Sequence, residues 1–276
     1  MVTGYFYLDV VEKSREIRQM KKIFKLMLEA NILYLLWDSF YAVLSHNVSS
    51  FTSMFTLKNL LKFIFFNESP LKGHLWYLGA ILYVLFIVFA FDKLKIGKYL
   101  SFATPFLLLG DLILGKYSIM LLGREFPYIL VRNFLFVGIP YFCIGRLIRR
   151  GFGQKVKKDV LAVLMIAFSV TSLLERFVLV SLNANAVRDH YISTTFLAVT
   201  VFLFALKCHR DNKTLALIGR KYSTWLYILH PISITCIGVV AHKVGAYGIY
   251  KFIAPIIVYI TTLVFLVIVD KIRWRQ

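Results

Sequence analysis

The chain has 276 residues, of which 59% are hydrophobic and 17% are charged, and its formal net charge is +19. A water-soluble domain carries about 25% charged residues, so this composition excludes an ordinary soluble enzyme. The positive charge does not indicate nucleic-acid binding, because the basic residues stand in short clusters between long apolar blocks. Clusters of that kind mark the cytoplasmic ends of membrane helices.

Apolar blocks along the chain predict an all-α, polytopic membrane bundle of about eight spans. The first eight residues, MVTGYFYL, are apolar but cover less than half of the roughly 20 residues that a spanning helix needs. We therefore predict a partial N-terminal span before the full ones. The full spans are predicted at about 23–44, 75–91, 99–115, 128–148, 159–180, 191–206, 223–241 and 252–270.

The segments between the predicted spans alternate in charge: 22 basic residues lie in one set of segments and seven in the other. Because positive loops stay in the cytoplasm, the pattern predicts a multi-pass protein of the cell membrane with its basic loops and C-terminus cytoplasmic. No linker divides the sequence, so residues 1–276 are predicted to form one membrane domain. In the longest outer segment, TLKNLLKFIFF predicts an amphipathic helix at the membrane surface. The clusters lie at residues 13–22, 93–98, 146–158, 207–221 and 271–275.

Several predicted spans contain an ionisable residue, which is costly inside a bilayer and tends to face a cavity or a partner. Arg132 and Glu175 lie near the outer ends of their spans and have an interfacial alternative. His230 lies deeper, before Pro231, and is either a structural histidine or a group that handles protons or substrate. The cysteines have no paired spacing, and no metal site is predicted.

A further polar group stands where the second span begins, in HLWYLGAILY. The segment starts with His74, followed after one residue by Trp76 and Tyr77. Aromatic residues at this depth commonly anchor a helix at the membrane surface. A contact of these three side chains with substrate is the alternative.

Four segments, taken in order, resemble the acyltransferase 3 family of integral membrane O-acyltransferases. They are similar to the family's second-helix Ser-Gly-aromatic motif, its His/Trp-aromatic-Leu segment, its helix with a basic cytoplasmic end, and its late helix leading to His-Pro. In chain order they read MVTGYFYL, HLWYLGAILY, GIPYFCIGRLIRR and YSTWLYILHP. Within the family, LLERFVLVSLNANAVRDHYIST and RKYSTWLYILHP look most like the membrane half of vancomycin-resistance-type serine racemases.

The resemblance implies a membrane O-acyltransferase. Such an enzyme moves an acyl group, expected to be acetyl, from a cytoplasmic acyl-CoA to a hydroxyl of a cell-envelope glycan or small molecule. Acyl-CoA is then a co-substrate, and no bound cofactor is expected. The implied site residues are His230 and Arg132 for catalysis, His74, Trp76, Tyr77 and Glu175 for substrate, and Lys22 and Lys25 for the phosphates of CoA.

The family also carries an essential basic residue and a histidine on its first helix, whereas this sequence begins at the second-helix motif. We therefore expect helix one to be missing, through a misassigned start or a truncation. Two alternatives stay open: a non-enzymatic transport or partner domain of the serine-racemase type, and an inactive fragment. The expected partners are the lipid bilayer, acyl-CoA and the acceptor, without nucleic acid and with no protein partner specified.

Overall fold

The protein is entirely helical in the part of the chain that the computed structural model describes, which is residues 1–186, 190–208 and 212–273. These residues form thirteen α-helices and no β-strand, which confirms the predicted fold class. The helices are α1 (Val2–Glu12), α2 (Glu16–Leu44), α3 (Val48–Thr52), α4 (Leu57–Phe66), α5 (Trp76–Lys93), α6 (Gly97–Leu114), α7 (Ser118–Leu122), α8 (Ile139–Arg149), α9 (Lys158–Ser181), α10 (Ile192–Leu206), α11 (Lys213–Lys221), α12 (Ser223–Lys243) and α13 (Tyr247–Arg273).

Five helical stretches among the described residues are long and apolar enough to cross a membrane. All five coincide with predicted spans, and α10 is a sixth, shorter apolar helix. The predicted span 23–44 lies within α2. The chain is thus an α-helical membrane protein, and the count of eight spans stays a prediction. The five stretches are Gly73–Lys93, Gly97–Leu114, Lys158–Ser181, Ser223–Lys243 and Tyr247–Ile272.

The predicted continuous span over 128–148 is wrong, because its first half is broken. A short 3₁₀ turn, Tyr128–Leu130, is followed by Asn133 in an extended conformation, with φ −142° and ψ −177°. A π-helical turn then covers Phe134–Gly138, and only Ile139–Arg149 is α-helical.

The side chain of Asn133 explains this break. Its Oδ1 accepts hydrogen bonds from the backbone N–H groups of Leu135 (2.9 Å) and Phe136 (3.1 Å). Its Nδ2 donates to the carbonyls of Ile129 (3.1 Å) and Leu130 (3.0 Å). Asparagine is well suited to compete with helical backbone bonds in this way, and here it partners the backbone on both sides of the break.

Two compact units make up the chain, Met1–Cys208 and His209–Gln276. The first contains α1–α10 and the second α11–α13. In the second, the Tyr250 hydroxyl donates to the Ile234 carbonyl (3.2 Å), so α12 and α13 pack side by side. The single domain predicted over 1–276 stays a prediction.

In the first unit, α1 packs against α8 with backbones in close contact. A Cβ atom added at Gly4 would overlap the carbonyl oxygen of Phe142, and one added at Gly145 would overlap that of Met1. Beside them, the buried Tyr7 ring meets the Phe142 ring edge to face, with centroids 5.1 Å apart. The partial span predicted at the N-terminus is therefore a helix packed into this unit, and small residues permit the approach.

Charged pairs mark the two ends of the first unit. At one end the buried Arg146 of α8 donates from both terminal nitrogens to Asp92 Oδ1 of α5, at 3.1 and 3.2 Å. At the other end His190, just before α10, contacts Asp111 in the last turn of α6. We call the first the Arg146 end and the second the Arg132 end, since Arg132 lines a cavity together with Asp111 and His190.

Gly145→Ala tests the packing of α1 on α8. We expect the substitution to lower the stability of the purified protein in detergent by about 1–3 kcal/mol. The added methyl group overlaps backbone atoms of α1, which cannot move aside as a flexible side chain can. Gly219→Ala on α11 is the matched control, since nothing lies within 4 Å of its Cβ position and alanine favours a helix. Thermal unfolding followed by tryptophan fluorescence measures both, and equal melting temperatures would contradict the packing.

Candidate active site

Asp111 and His190 form the centre of the Arg132 end. His190 Nδ1 lies 2.8 Å from Asp111 Oδ2, and the Asp111 side chain is only 7% exposed. A buried carboxylate holds the proton of a neighbouring imidazole on Nδ1, which leaves the lone pair on Nε2. The Tyr141 ring packs beside the imidazole, with ring centroids 5.8 Å apart. The histidine is thereby held in one orientation and in one tautomer.

Arg132 adds a cation to the same place. Its guanidinium carbon lies 4.2 Å from the centroid of the Tyr128 ring and 5.5 Å from that of Trp76. The faces of both rings are electronegative and attract the guanidinium. Arg132 stands directly before Asn133, so the break in the chain decides where this side chain lies.

Lys116 is a second cation and is buried, with 4% of its surface exposed. Its Nζ donates to the Ala186 carbonyl at 2.8 Å and lies 4.5 Å from the centroid of the Tyr191 ring. Asp111, Lys116, Arg132 and His190 line one cavity of about 10 Å³, which is room for about one water-sized oxygen atom.

This arrangement has the parts of a general-base site. An imidazole oriented by a carboxylate can take a proton from a hydroxyl group, as in hydrolases that use Ser-His-Asp. Cations in a site with little water stabilise an oxyanion more strongly than they do in bulk water. Among the described residues, no cluster of three or more His, Cys, Asp or Glu side chains is arranged to hold a metal ion.

Comparison with known proteins gives this geometry its context. The family model described as "Acyltransferase domain" (Acyl_transf_3) matches residues 1–270. The chain belongs to the acyltransferase 3 family. No curated protein and no solved structure matches it. The match covers nearly the whole chain, so the site above is that of a membrane acyltransferase-family protein.

His74 and Tyr77 frame the Trp76 that Arg132 contacts. The His74 ring meets the buried Tyr34 ring edge to face, with centroids 5.3 Å apart. Tyr77 is 45% exposed, and with Trp76 it lines a separate cavity of about 220 Å³. The structure thus brings Arg132 and Trp76 into contact. His74 is two residues before Trp76 in the chain, and Tyr77 lines the 220 Å³ cavity rather than the one that Arg132 lines.

Glu175, a substrate contact implied by the sequence, lies on α9 and holds the start of α10. Its Oε2 accepts from the Ser193 hydroxyl at 2.6 Å and from the Ser193 N–H at 3.3 Å. Burial, and after it the negative charge of Glu175, raises the pKa of the nearby Tyr117 to about 12. Since Ser193 is three residues after His190, Glu175 supports the segment that carries the histidine. A role in substrate binding stays a prediction.

The two lysines implied for CoA binding lie several turns along α2 from the Asp38–Lys72 pair. Lys22 and Lys25 are exposed on α2, and Lys25 pairs with Glu29 at 3.6 Å. Asp38, whose Oδ1 pairs at 2.8 Å with Lys72 beside His74, is 13 residues further along the same helix. At 1.5 Å per residue, that separation is about 20 Å.

His230 lies in the second unit, and its local geometry has a structural explanation. Pro231 has no N–H to give to the carbonyl of Tyr227, one helical turn earlier. His230 Nδ1 lies 2.8 Å from that carbonyl oxygen and donates the hydrogen bond that the proline cannot. A catalytic role for His230 stays a prediction.

The sequence analysis did not include Asp111, Lys116, Tyr128 or His190 among the site residues. Asp111 is the one of these residues that the sequence could have indicated, because an acidic residue in an apolar helix tends to face a partner or a cavity. Its partner is 79 residues away in the sequence, so no local pattern connects the two.

A pair of substitutions separates a structural from a chemical role of His230. We expect His230→Ala to lower stability by about 1–3 kcal/mol, because a carbonyl inside the helix loses its donor. Pro231→Ala restores a backbone N–H and is expected to recover that stability in the double variant. Thermal unfolding measures both. If the second substitution recovers nothing, the contact with Tyr227 does not stabilise α12.

Proposed function

We propose that this protein is a membrane O-acyltransferase in which Asp111 and His190 activate the hydroxyl of the acceptor. The observation that supports it is the 2.8 Å contact between His190 Nδ1 and Asp111 Oδ2 in a cavity that Arg132 and Lys116 also line. The cavity has the size of one oxygen atom. An acceptor hydroxyl placed there lies among a base and two cations.

The transfer proceeds in one displacement. His190 Nε2 takes the hydroxyl proton as the acceptor oxygen attacks the thioester carbonyl carbon of the acyl donor. Arg132 and Lys116 stabilise the negative charge that forms on the carbonyl oxygen. The carbon–sulfur bond then breaks, the thiolate of CoA leaves, and the proton on His190 passes to it. The products are the acyl ester and free CoA.

The donor is an acyl-CoA, expected to be acetyl-CoA, that enters from the cytoplasm. Lys22 and Lys25 precede Tyr34, the α2 residue whose ring contacts His74, by 12 and 9 residues, which is about 14–18 Å along the helix. As exposed cations they suit the phosphates of CoA. The nucleotide then stays at the basic, cytoplasmic side while the long pantetheine arm extends into the protein. The acceptor hydroxyl belongs to a cell-envelope glycan or a small molecule at the outer side of the cell membrane.

The second hypothesis is a transport domain similar to the membrane half of serine racemases, in which polar residues such as Glu29, Arg132 and Glu175 provide a path for a small amino acid. Proteoliposomes distinguish the two functions. The transferase consumes acetyl-CoA and labels an acceptor, whereas the transport domain takes up serine without any acyl-CoA.

Substitution of the Asp111–His190 pair tests the proposed chemistry. His190→Ala is expected to reduce kcat/KM for transfer of labelled acetyl from acetyl-CoA by about 10²–10⁴-fold, the usual contribution of a general base. Asp111→Asn is expected to reduce it too, because the amide reverses the preferred tautomer. His242→Ala in the second unit is the control and should leave transfer unchanged. Full activity of His190→Ala would contradict the proposal.

Substitution of both Lys22 and Lys25 by Gln tests the donor side. We expect KM for acetyl-CoA to rise by about two- to fivefold per lysine, as for exposed ion pairs. kcat should not change, because the lysines bind the ground state and the transition state alike. Lys58→Gln with Lys62→Gln, on α4, is the matched control with the same loss of charge. An unchanged KM in the Lys22/Lys25 variant would remove these lysines from the CoA site.

A further inference from the structure

A large groove lies between α12 and α13 and has no part in the proposed transfer. Its volume is about 630 Å³, which is in the range of pockets that bind small organic molecules. The residues that line it repeat at helical spacing, so each helix contributes one continuous face. They are Leu226, Tyr227, His230 and Ile234 of α12, and Tyr250, Lys251, Ala254, Pro255, Val258 and Tyr259 of α13.

The shape and lining of the groove suit a hydrocarbon chain. From Lys251 to Tyr259 there are eight residues, which span about 12 Å along the helix. One leaflet of a bilayer contributes about 15 Å of hydrocarbon thickness, half of the whole core. The Tyr250 hydroxyl donates to the Ile234 carbonyl at 3.2 Å and His230 Nδ1 donates to the Tyr227 carbonyl at 2.8 Å, so these polar atoms of the lining already have partners in the protein.

The charge of the groove lies at one end. Lys251 is the one lysine among the residues that line the groove, and it stands one turn inside the start of α13. Among the described residues, no carboxylate lies within 4.0 Å of its Nζ. The Nζ lies 5.0 Å from the centroid of the Tyr247 ring, which is stacked on His242 with centroids 3.9 Å apart. Lysine and tyrosine together are typical of the level of lipid headgroups.

We propose that this groove binds one acyl chain of an anionic phospholipid of the surrounding bilayer, with the headgroup phosphate on Lys251. The apolar faces of α12 and α13 hold the chain, and the lysine at the end of the groove selects the negative headgroup. The groove is distinct from the cavity proposed for the transfer reaction, because neither Asp111 nor His190 lines it.

Native mass spectrometry of the full chain, purified in a mild detergent, tests the site. The probes are phosphatidylglycerol and phosphatidylcholine with identical chains, added at matched concentrations. We expect phosphatidylglycerol to bind about fivefold more tightly, the ratio for one lysine near a lipid phosphate. Lys251→Gln should abolish this preference and keep chain binding. Ala254→Leu, which fills the groove, should weaken binding of both lipids.

Lys213→Gln on α11 is the control for charge, since Lys213 does not line the groove, and it should keep the preference. Thermal unfolding of each variant distinguishes loss of the site from loss of the fold. Equal binding of both lipids to the wild-type protein would overturn the proposal. So would a preference that survives Lys251→Gln in a folded protein, or tighter binding of a long-chain acyl-CoA than of phosphatidylglycerol.

Discussion

Every backbone N–H and C=O inside a bilayer must find a partner within the protein, because lipid offers none. Backbone groups shielded from water inside a protein need partners in the same way, and the segment 131–138 leaves regular helix geometry. The four hydrogen bonds of the Asn133 side chain replace backbone bonds on both sides of the break. Without them the segment would return to a continuous helix or leave its polar groups without partners. The position of Arg132 beside the Trp76 and Tyr128 rings therefore depends on the neighbouring asparagine.

The same constraint accounts for a histidine in an apolar helix. Pro231 removes one backbone donor from α12, and His230 supplies another to the Tyr227 carbonyl. In both places a polar side chain next to the irregularity repairs the backbone. An asparagine or histidine within a predicted span is thus as much a sign of a break as of chemistry. Pro231 beside His230 indicates such a repair, and Pro127 and Pro140 flank the irregular segment around Asn133.

Whether a feature of this structure can be predicted from the sequence depends on how far apart in the chain the interacting residues lie. Long apolar blocks predict α5, α6, α9, α12 and α13 well, because lipid exposure imposes length and composition on each helix separately. The break near Asn133 escapes the same reasoning, since Arg132 and Asn133 are two polar residues in an otherwise apolar block. The contact of Asp111 with His190 joins the end of α6 to the start of α10. A pairing of that kind depends on how helices pack against each other, and no repeating pattern in a single sequence indicates it.

The two ends of the first unit use their carboxylates in different ways. At the Arg146 end, Asp92 faces a guanidinium that never loses its proton. That pair holds α5 and α8 together and cannot exchange a proton. At the Arg132 end, Asp111 faces an imidazole, which gains or loses a proton near neutral pH. Acyl transfer to a hydroxyl requires a group that accepts a proton and gives it back. Of the two pairs, the one at the Arg132 end meets this requirement, which is why we assign the proposed transfer to it and a structural role to the Arg146 end.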